Sequence, residues 1–372
     1  MRFGRGAQPE ESRKDTKAMK RIGNTFGQII ALENIMQAHR NARRGKLYNK
    51  GVQLVDGDVE KHCTEIQAML VNKTYSTSTY HEFEICDRGK SRNICELPYH
   101  PDRVIQWALL QVVEPVFCKH FISATYAAIP KKGTHAALRK LQDFMKDHEG
   151  TKYCLKFDVK KFFPHVNKEI LKAQLRKKFK CKDTLWLLDD IVESYHNGIP
   201  IGNYTSQYFG NFYLSWFDHW VKEVLKVKYY IRYMDDLVIL HHSKEYLHDL
   251  RKTLNDYLES ELKLTIKENW QVFPTFIRGV DFVGYRHFGD YTLLRKGTKK
   301  RLKGAVKKLI LKQQKNEPLT KNDQSVVGSY FGILKWGDCY RLKAVTIDKI
   351  KKMEEKKHDH NSRNTKRKAV TC

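Results

Sequence analysis

Residues 229–240 read Tyr-Tyr-Ile-Arg-Tyr-Met-Asp-Asp-Leu-Val-Ile-Leu, two β-prone runs that meet at Asp235 and Asp236. Two adjacent acids oppose strand propensity. Such a pair is tolerated at the turn of a hairpin, or where a divalent cation compensates its charge. Alone, the segment is compatible with an exposed acidic turn as well as with a metal site.

A second strand pattern, Cys154-Leu-Lys-Phe-Asp-Val-Lys-Lys-Phe-Phe-Pro164, contains a single acid. With the period of two that strands have, Lys156 and Asp158 face one side while the apolar residues face the other. We therefore expect Asp158 to leave the apolar layer and to join Asp235 and Asp236. Carboxylates in this arrangement suit two metal ions about 3.5–4 Å apart, as nucleotidyl transfer requires. Magnesium fits best because it favours carboxylate and phosphate oxygens.

Between these acids, Gly198-Ile-Pro-Ile-Gly-Asn-Tyr-Thr-Ser-Gln207 predicts a turn-rich entry into a helix. Asn203 and Gln207 lie near the start of this helix, where the backbone can approach a ligand and the dipole favours phosphate. Many buried helices also begin with Gly and Asn, so the segment alone is a weak signal. A stripe at helical spacing predicts the buried face of the same helix: Phe209, Phe212, Tyr213, Trp216, Phe217, Trp220 and Val221.

The charge balance favours a polyanionic partner. Lys and Arg number 69 against 42 Asp and Glu, a net charge of +27. A surplus of this size is expected of a protein that lies along nucleic acid. The basic residues are spread over the whole chain, which argues against a membrane surface as the partner. The sequence shows neither a spanning apolar run nor a signal peptide, so we expect a cytoplasmic protein.

Other elements follow from periodicity. We predict a helix over 26–42, a second over 58–71 and a β-hairpin over 81–97. A further helix begins near Asp102 and is expected to stop before Pro115. A basic amphipathic helix follows Tyr291, with a solvated face or a nucleic-acid surface as equal readings. No C-x-x-C pair is present, which argues against a zinc ribbon.

Together, the ordered motifs resemble those of reverse transcriptases. Four segments resemble the palm motifs in order and spacing: Phe157-Asp-Val-Lys-Lys-Phe-Phe163, Ile199-Pro-Ile-Gly202 with Ser206-Gln207, Tyr233-Met-Asp-Asp236 and Val280-Asp-Phe-Val-Gly-Tyr285. Two upstream segments resemble the fingers motifs: Lys90-Ser-Arg-Asn-Ile94 and Asp102-Arg-Val-Ile-Gln-Trp-Ala-Leu109. The resemblance implies an α+β right-hand polymerase fold, with fingers, an antiparallel palm sheet, a thumb and a helical N-terminal extension.

The resemblance also implies a domain organisation. A basic arm and helical extension occupy 1–75, the fingers 76–153, the palm 154–164 and 198–290 with a helical insertion over 165–197, the basic helical thumb 291–357, and a disordered tail 358–372.

Within the superfamily, the chain looks most like the reverse transcriptases of diversity-generating retroelements of bacteria and their phages. Ile201 stands where other groups usually carry Gln, and it begins the I-G-x-x-x-S-Q pattern of that group. The resemblance implies error-prone copying of a template-repeat RNA, mutagenised at adenine, in a bacterial or phage-infected cell. It also implies a small basic oligomeric accessory protein as a partner, an RNA/cDNA duplex as the bound product, and no membrane.

Site residues carry over by position. Asp158, Asp235 and Asp236 become the catalytic acids and hold two Mg²⁺ ions, with Val159 assigned to the same metal site. Residues assigned to the deoxynucleoside triphosphate are Lys90, Arg92, Phe163, Ile201, Gly202 and Gln207. Phe163 matches the steric gate that excludes a 2′-hydroxyl, with a core aromatic as the alternative. Lys267 lies in the segment that resembles the motif donating a proton to pyrophosphate, and it is the candidate general acid. Residues assigned to nucleic acid are Lys131, Lys132, Tyr233, Met234, Arg295, Lys296, Lys299, Lys300 and Arg301.

Two other readings stay open at this point. The chain resembles other bacterial reverse transcriptases, such as retron, abortive-infection or CRISPR-associated enzymes, less closely. A polymerase-like RNA-binding scaffold without catalysis would be expected to lack one of the acids, whereas all three are present.

Overall fold

The computed structural model describes residues 21–87, 89–315, 317–346 and 348. The predicted basic arm over 1–20 and the predicted tail over 358–372 lie outside these residues. Within the described residues, no helix has both the length and the apolar content needed to cross a bilayer.

The described residues form helices and short strands. The helices are α1 (Phe26–Ile30), α2 (Leu32–Ala42), α3 (Lys50–Gly57), α4 (Val59–Val71), α5 (Val104–His120), α6 (Thr134–Met145), α7 (Phe162–His165), α8 (Lys168–Lys178), α9 (Lys182–Glu193), α10 (Tyr204–Tyr213), α11 (Ser215–His219), α12 (Lys244–Leu262), α13 (Thr275–Arg278), α14 (Lys296–Gln314) and α15 (Lys321–Leu334). The strands are β1 (His81–Asp87), β2 (Lys90–Glu96), β3 (Tyr153–Asp158), β4 (Tyr229–Tyr233), β5 (Asp236–His241), β6 (Gln271–Pro274), β7 (Val280–Phe282), β8 (Tyr285–His287) and β9 (Thr292–Leu294). Two π-type turns span Tyr99–Arg103 and Trp220–Val224.

The chain divides into two compact units. The first contains the chain up to Ile129, Asp158–Lys226 and Thr253–Glu268. The second contains Pro130–Phe157, Val227–Lys252 and the chain from Asn269 onward. Each unit is therefore built from separate parts of the sequence.

The first unit shows one correction at the start of the described chain. The single helix predicted over 26–42 is broken at Ala31, which has extended backbone angles of φ −56° and ψ 129°. The break exposes two carbonyls, and side chains satisfy both. Asn34 Nδ2 donates to Ile29 O at 3.0 Å, and Gln67 Nε2 donates to Ile30 O at 2.8 Å. Periodicity misses this because the apolar residues on both sides still face one core.

The end of α5 is a second correction. The sequence predicts a stop before Pro115, but the helix continues to His120. A proline inside a helix loses a hydrogen bond and clashes, at about 3 kcal/mol or more. Val113 and Phe117, on either side of it, are fully buried. Burial of such side chains contributes about 1.5–3 kcal/mol each, which offsets the loss and keeps the helix intact.

The predicted hairpin over 81–97 is confirmed in the first unit. Strands β1 and β2 pair antiparallel from His81 opposite Glu96 to Asp87 opposite Lys90. Cys95, near the end of β2, has its side chain buried. The predicted helix over 58–71 is also confirmed, as α4 beginning after the capping residue Asp58.

The second unit is built around a four-stranded sheet in the order β4-β5-β3-β6. The pairs β4–β5 and β3–β6 are antiparallel. Burial along β3 follows the predicted alternation at its end, since Leu155, Phe157 and the following Val159 are buried while Lys156 and Asp158 are half-buried.

A three-stranded antiparallel sheet in the order β7-β8-β9 completes the second unit. It shares a core with α6, α14 and α15, and the buried members of that core are Leu138, Tyr285, Leu294, Leu302, Val306, Leu334 and Cys339. The strands and helices after residue 269 thus share one apolar core with α6.

Candidate active site

The two adjacent acids lie at a hairpin turn, as predicted. Tyr233 pairs with Asp236 at the end of the β4–β5 ladder, so Met234 and Asp235 form the turn. Met234 has a φ of +57°, in the left-handed region. A side chain other than glycine is strained there by about 1–2 kcal/mol. Both acids are half-buried, so the turn holds them in a defined position and is not a fully exposed acidic loop.

A buried arginine supports this turn. Arg232 is fully buried, and its Nη1 donates a hydrogen bond to Met234 O at 2.8 Å. A charged donor makes a stronger hydrogen bond than a neutral one. The contact therefore helps to hold Met234 in its strained conformation. Sequence reasoning missed Arg232. Its place between Ile231 and Tyr233 in a buried strand signals a charge that needs a partner, but it does not show which partner.

Asp236 is paired with a lysine. Lys156 Nζ lies 3.0 Å from Asp236 Oδ1 and 3.1 Å from Asp236 Oδ2, and the two side chains are about one-fifth and one-quarter exposed. The same ammonium donates to Asp281 O at 2.6 Å. Asp281 in turn accepts from Arg295 Nε at 2.7 Å. Asp236 is thus part of a charged network within the second unit, which its strand pattern does not indicate.

Asp158 is the last residue of β3, the strand that lies next to β5 in the sheet. Its backbone belongs to the first unit, where the segment around Ile266 pairs with it. Lys267 N donates to Asp158 O at 2.9 Å, and Lys160 N donates to Thr265 O at 2.9 Å. The structure therefore brings the backbone of Lys267, a candidate general acid, to that of Asp158.

Phe163 is half-buried, while its neighbour Phe162 is buried. The core position is therefore filled by Phe162, which weighs against the reading of Phe163 as a core aromatic. The carbonyl of Phe163 accepts from Ile199 N at 3.0 Å. Gly198 has a φ of +57°, and a Cβ there would lie 2.2 Å from Phe163 O. Only glycine permits this close approach of the loop to Phe163.

The other end of that loop lies on β2. Ile201 O accepts from Cys95 N at 2.8 Å. Gly202 has a φ of +133°, and a Cβ there would lie 2.2 Å from Cys95 O. Asn203, at the start of α10, is buried and donates to Tyr80 Oη at 2.6 Å. The loop is therefore fixed between the Phe163 segment and the hairpin.

This arrangement connects three of the six residues assigned to a nucleotide. One end of the loop contacts the backbone of Phe163. The other end, at Ile201 and Gly202, contacts β2, the strand that carries Arg92. Arg92 is exposed on β2, opposite Ile85. Gln207 is exposed on α10. Lys90 begins β2, and its side chain lies outside the described part of the chain.

Comparison with known proteins decides the family. The family model described as "Reverse transcriptase (RNA-dependent DNA polymerase)" matches residues 80–287, more than half of the chain. The chain belongs to this reverse transcriptase family. The match contains the hairpin β1–β2, the loop at Ile201 and the sheet with its acidic turn. Together with the antiparallel sheets, it confirms the predicted α+β polymerase fold class.

Two curated proteins are similar to parts of the chain. Protein YkfC of Escherichia coli strain K12 is 25% identical over 224 residues, which cover 57% of this chain and 52% of that protein. The Arabidopsis thaliana protein "Nuclear intron maturase 1, mitochondrial" is 29% identical over 108 residues, which cover 28% of this chain and 15% of that protein. The chain therefore spans about half the length of the first and much less of the second.

Solved telomerase structures are also similar. Telomerase from Candida albicans in complex with a fragment of telomeric RNA has a TM-score of 0.46 at 13% identity, covering 80% of this chain and 64% of that one. Apo telomerase from Candida tropicalis has a TM-score of 0.43 at 12% identity, covering 60% and 51%.

Beyond the part matched to the reverse transcriptase family, α14 has the predicted amphipathic form. Leu302, Val306 and Leu309 are buried. Four cations assigned to nucleic acid are exposed on the same helix: Lys296, Lys299, Lys300 and Arg301.

The remaining cations assigned to nucleic acid differ from one another. Arg295 is about one-third exposed and paired with Asp281. Its position indicates support of the β7–β9 sheet at least as much as phosphate binding. Lys131 is exposed and Lys132 is half-buried in the turn before α6. Tyr233 and Met234 are half-buried at the acidic turn.

Proposed function

We propose that this protein is an RNA-directed DNA polymerase that works by two-metal-ion nucleotidyl transfer. The observation that carries the proposal is the reverse transcriptase match over a segment whose hairpin turn presents Asp235. Asp158 supports it as a half-buried acid at the end of the strand next to β5.

The donor set fits magnesium. Asp158 and Asp235 offer carboxylate oxygens, and no nitrogen or sulfur ligand is called for. We assign Asp158, Asp235 and Val159 to the metal site, with Asp236 as a third acid that Lys156 holds in place. Bound Mg²⁺ would lower the pKa of the primer 3′-hydroxyl and stabilise the leaving pyrophosphate. Lys267 is our candidate for protonating that pyrophosphate.

Nucleotide selection is assigned to the loop and the hairpin. Phe163 acts as a gate under the sugar, so that deoxynucleotides are preferred. Lys90 and Arg92 bind the triphosphate, a task suited to an ammonium and a planar guanidinium. Ile201, Gly202 and Gln207 line the base and phosphate positions. The close contact of Gly202 with Cys95 supports this, because it fixes the loop to the strand that carries Arg92.

The more specific proposal is a role in a diversity-generating retroelement. Its support is the I-G-x-x-x-S-Q pattern from Ile201 to Gln207. The substrate would be a template-repeat RNA copied into adenine-mutagenised cDNA, in the cytoplasm of a bacterial or phage-infected cell, with a small basic oligomeric accessory protein. Retron, abortive-infection and CRISPR-associated reverse transcriptases are the alternatives.

Asp235→Asn tests the polymerase itself. With an RNA template, a DNA primer, deoxynucleotides and Mg²⁺, we expect primer extension to fall by about 10³-fold or more, since metal ligation supplies several kcal/mol. RNA binding, measured by fluorescence anisotropy, should change little. If the native chain binds RNA and never extends a primer, the protein is a scaffold and the proposal is wrong.

Ile201→Gln tests the error-prone role. An isoleucine offers the nascent base pair only apolar contact, whereas Gln adds a hydrogen-bonding group that a mispair leaves unsatisfied. We expect misincorporation opposite template adenine to fall severalfold in sequenced extension products. Ile199→Val, in the same loop, is the control and should leave the error spectrum unchanged. An identical adenine error rate in Ile201→Gln would refute the role of this residue.

A further inference from the structure

Two histidines and a glutamate converge in the first unit, on α4 and on the turn before α5. The imidazoles of His62 and His100 and the carboxylate of Glu65 each offer a ligand atom, and these atoms all lie within 4.8 Å of one another. His62 Nδ1 lies 2.9 Å from Glu65 Oε2, and His100 Nε2 lies 3.9 Å from the same oxygen. The two imidazole rings are 5.1 Å apart at an angle of 67°.

The cluster stands on rigid elements. His62 and Glu65 lie one turn apart on α4, so their side chains share one face of that helix. His100 lies in the π-type turn Tyr99–Arg103. Its neighbour Tyr99 is buried, and the hydroxyl of Tyr99 lies 2.9 Å from His39 Nδ1. These contacts fix the turn, so the position of His100 does not depend on the other two residues of the cluster.

Asp102 anchors the other side of the turn. Its carboxylate is fully buried and accepts from Tyr75 Oη at 2.9 Å and from Ser78 N at 3.0 Å. His100 is therefore flanked on both sides by residues that packing and hydrogen bonds hold in place. A preorganised imidazole of this kind is what a metal site requires.

His100 Nε2 shows that the cluster is more than a hydrogen-bonded pair. This atom is buried and has no hydrogen-bond partner among the described residues. Its distance of 3.9 Å to Glu65 exceeds that of a hydrogen bond. A hydrogen bond between His62 and Glu65 accounts for those two residues and leaves His100 Nε2 without a partner among the described residues. A buried nitrogen without a partner is unfavourable unless something binds it.

We propose that His62, Glu65 and His100 bind a Zn²⁺ ion, with water in a fourth position. Two imidazoles and one carboxylate form a known zinc ligand set. With bonds of about 2.0–2.2 Å, ligand atoms around a tetrahedral zinc lie roughly 3.3 Å apart. The observed separations of 2.9 Å and 3.9 Å lie on either side of this value. Imidazole ligands favour zinc over magnesium, which distinguishes this ion from those proposed at the aspartates.

The ion would cross-link α4 to the turn that leads into α5. The two elements are far apart in sequence, so a bond through zinc fixes the helical extension against the segment that follows β2. Glu65 is about 40% exposed, so water can reach the fourth position. The cross-link between these two elements does not depend on polymerase activity.

The test uses the full-length chain, stripped with a chelator and then titrated with Zn²⁺ or Co²⁺ in excess Mg²⁺. We expect one equivalent of Zn²⁺ per chain, a rise in melting temperature, and the visible absorption of four-coordinate Co²⁺ with imidazole ligands. His62→Gln and His100→Gln should lose the Co²⁺ absorption. Glu65→Gln, at a partly exposed position that tolerates substitution, should weaken Zn²⁺ binding by at least about tenfold.

His219→Gln is the matched control. His219 also forms a hydrogen bond with a glutamate on a helical turn, from Nδ1 to Glu223 Oε1 at 2.6 Å, but it does not belong to the cluster. The His219→Gln variant should bind Zn²⁺ and Co²⁺ as the native chain does. Absence of stoichiometric Zn²⁺ in the native chain, or a Co²⁺ spectrum that Glu65→Gln and His100→Gln leave unchanged, would overturn the proposal. Primer extension has no part in this outcome.

Discussion

At the level of single residues, Asp236 is in direct contact with the ammonium of Lys156. The ammonium contacts both carboxylate oxygens at 3.0–3.1 Å and also binds the backbone of Asp281. An acid that is already paired in this way is less able to give its charge to a metal ion. In the proposed metal site, Asp158 and Asp235 are assigned as the main ligands and Asp236 as a third acid that Lys156 holds in place.

Lys156→Met tests this division of roles. The substitution keeps the length of the side chain but leaves Asp236 partly buried without its cation, which is unfavourable. We expect a loss of about 10- to 100-fold in primer extension, smaller than that of Asp235→Asn, together with a shift in Mg²⁺ dependence. Lys160→Met is the control, since Lys160 is about half exposed and its ion pair with Glu268 is long, at 3.4 Å. Equal losses in both variants would show that Lys156 acts only through its charge.

Phe163 is the other single residue whose proposed role can be tested by substitution. Because Phe162 is buried, Phe163 is available at the surface of the loop contact. Phe163→Val should remove the gate and admit ribonucleotides, lowering discrimination against the 2′-hydroxyl by about tenfold or more, as loss of a packing contact in a pocket allows. Incorporation of each nucleotide type in single-turnover extension measures this. Phe144→Val, which removes a half-buried phenylalanine of α6, should leave the discrimination unchanged.

At the scale of elements, the sequence pattern predicted what depends on residues close in the chain. The hairpin β1–β2, the helix α4 and the alternation in β3 follow from their own residues. The break at Ala31 and the continuation past Pro115 do not, because both depend on partners distant in sequence. Gln67 donates a hydrogen bond to a carbonyl that the break exposes. The packing of Phe117 against Phe212, with ring centroids 4.7 Å apart, helps to stabilise the helix beyond Pro115.

The candidate site shows the same limit. The three acids could be identified from strand patterns and from the resemblance to a family, because acids in buried strands stand out. Arg232 and Lys156 could not, since an arginine or lysine in a strand pattern gives no sign of which carbonyl or carboxylate it will contact. The cluster of His62, Glu65 and His100 was missed for a related reason, because His100 comes from a different element than His62 and Glu65.

At the scale of the whole molecule, a net charge of +27 sets how the protein meets its substrate. Neutralising phosphates releases bound counterions, so the affinity for a single strand falls with salt at a slope of about −0.7 per contact. A clustered basic surface should carry a larger share of this slope than cations spread elsewhere. The exposed face of α14 is such a cluster, since its cations Lys296, Lys299 and Lys300 are exposed on a helix anchored by buried Leu302 and Val306.

Replacing Lys296, Lys299 and Lys300 by Gln measures that share. If all of them contact phosphates, the slope of log affinity against log salt for single-stranded RNA should become shallower by about 2. The matched control replaces three exposed lysines outside α14 by Gln, Lys180, Lys182 and Lys252. Both variants lose the same net charge, so an effect of overall charge alone would change their slopes equally. A larger change in the α14 variant, measured by fluorescence anisotropy from low to physiological salt, would identify α14 as a phosphate-binding surface, and equal changes would show that its basic face is merely solvated.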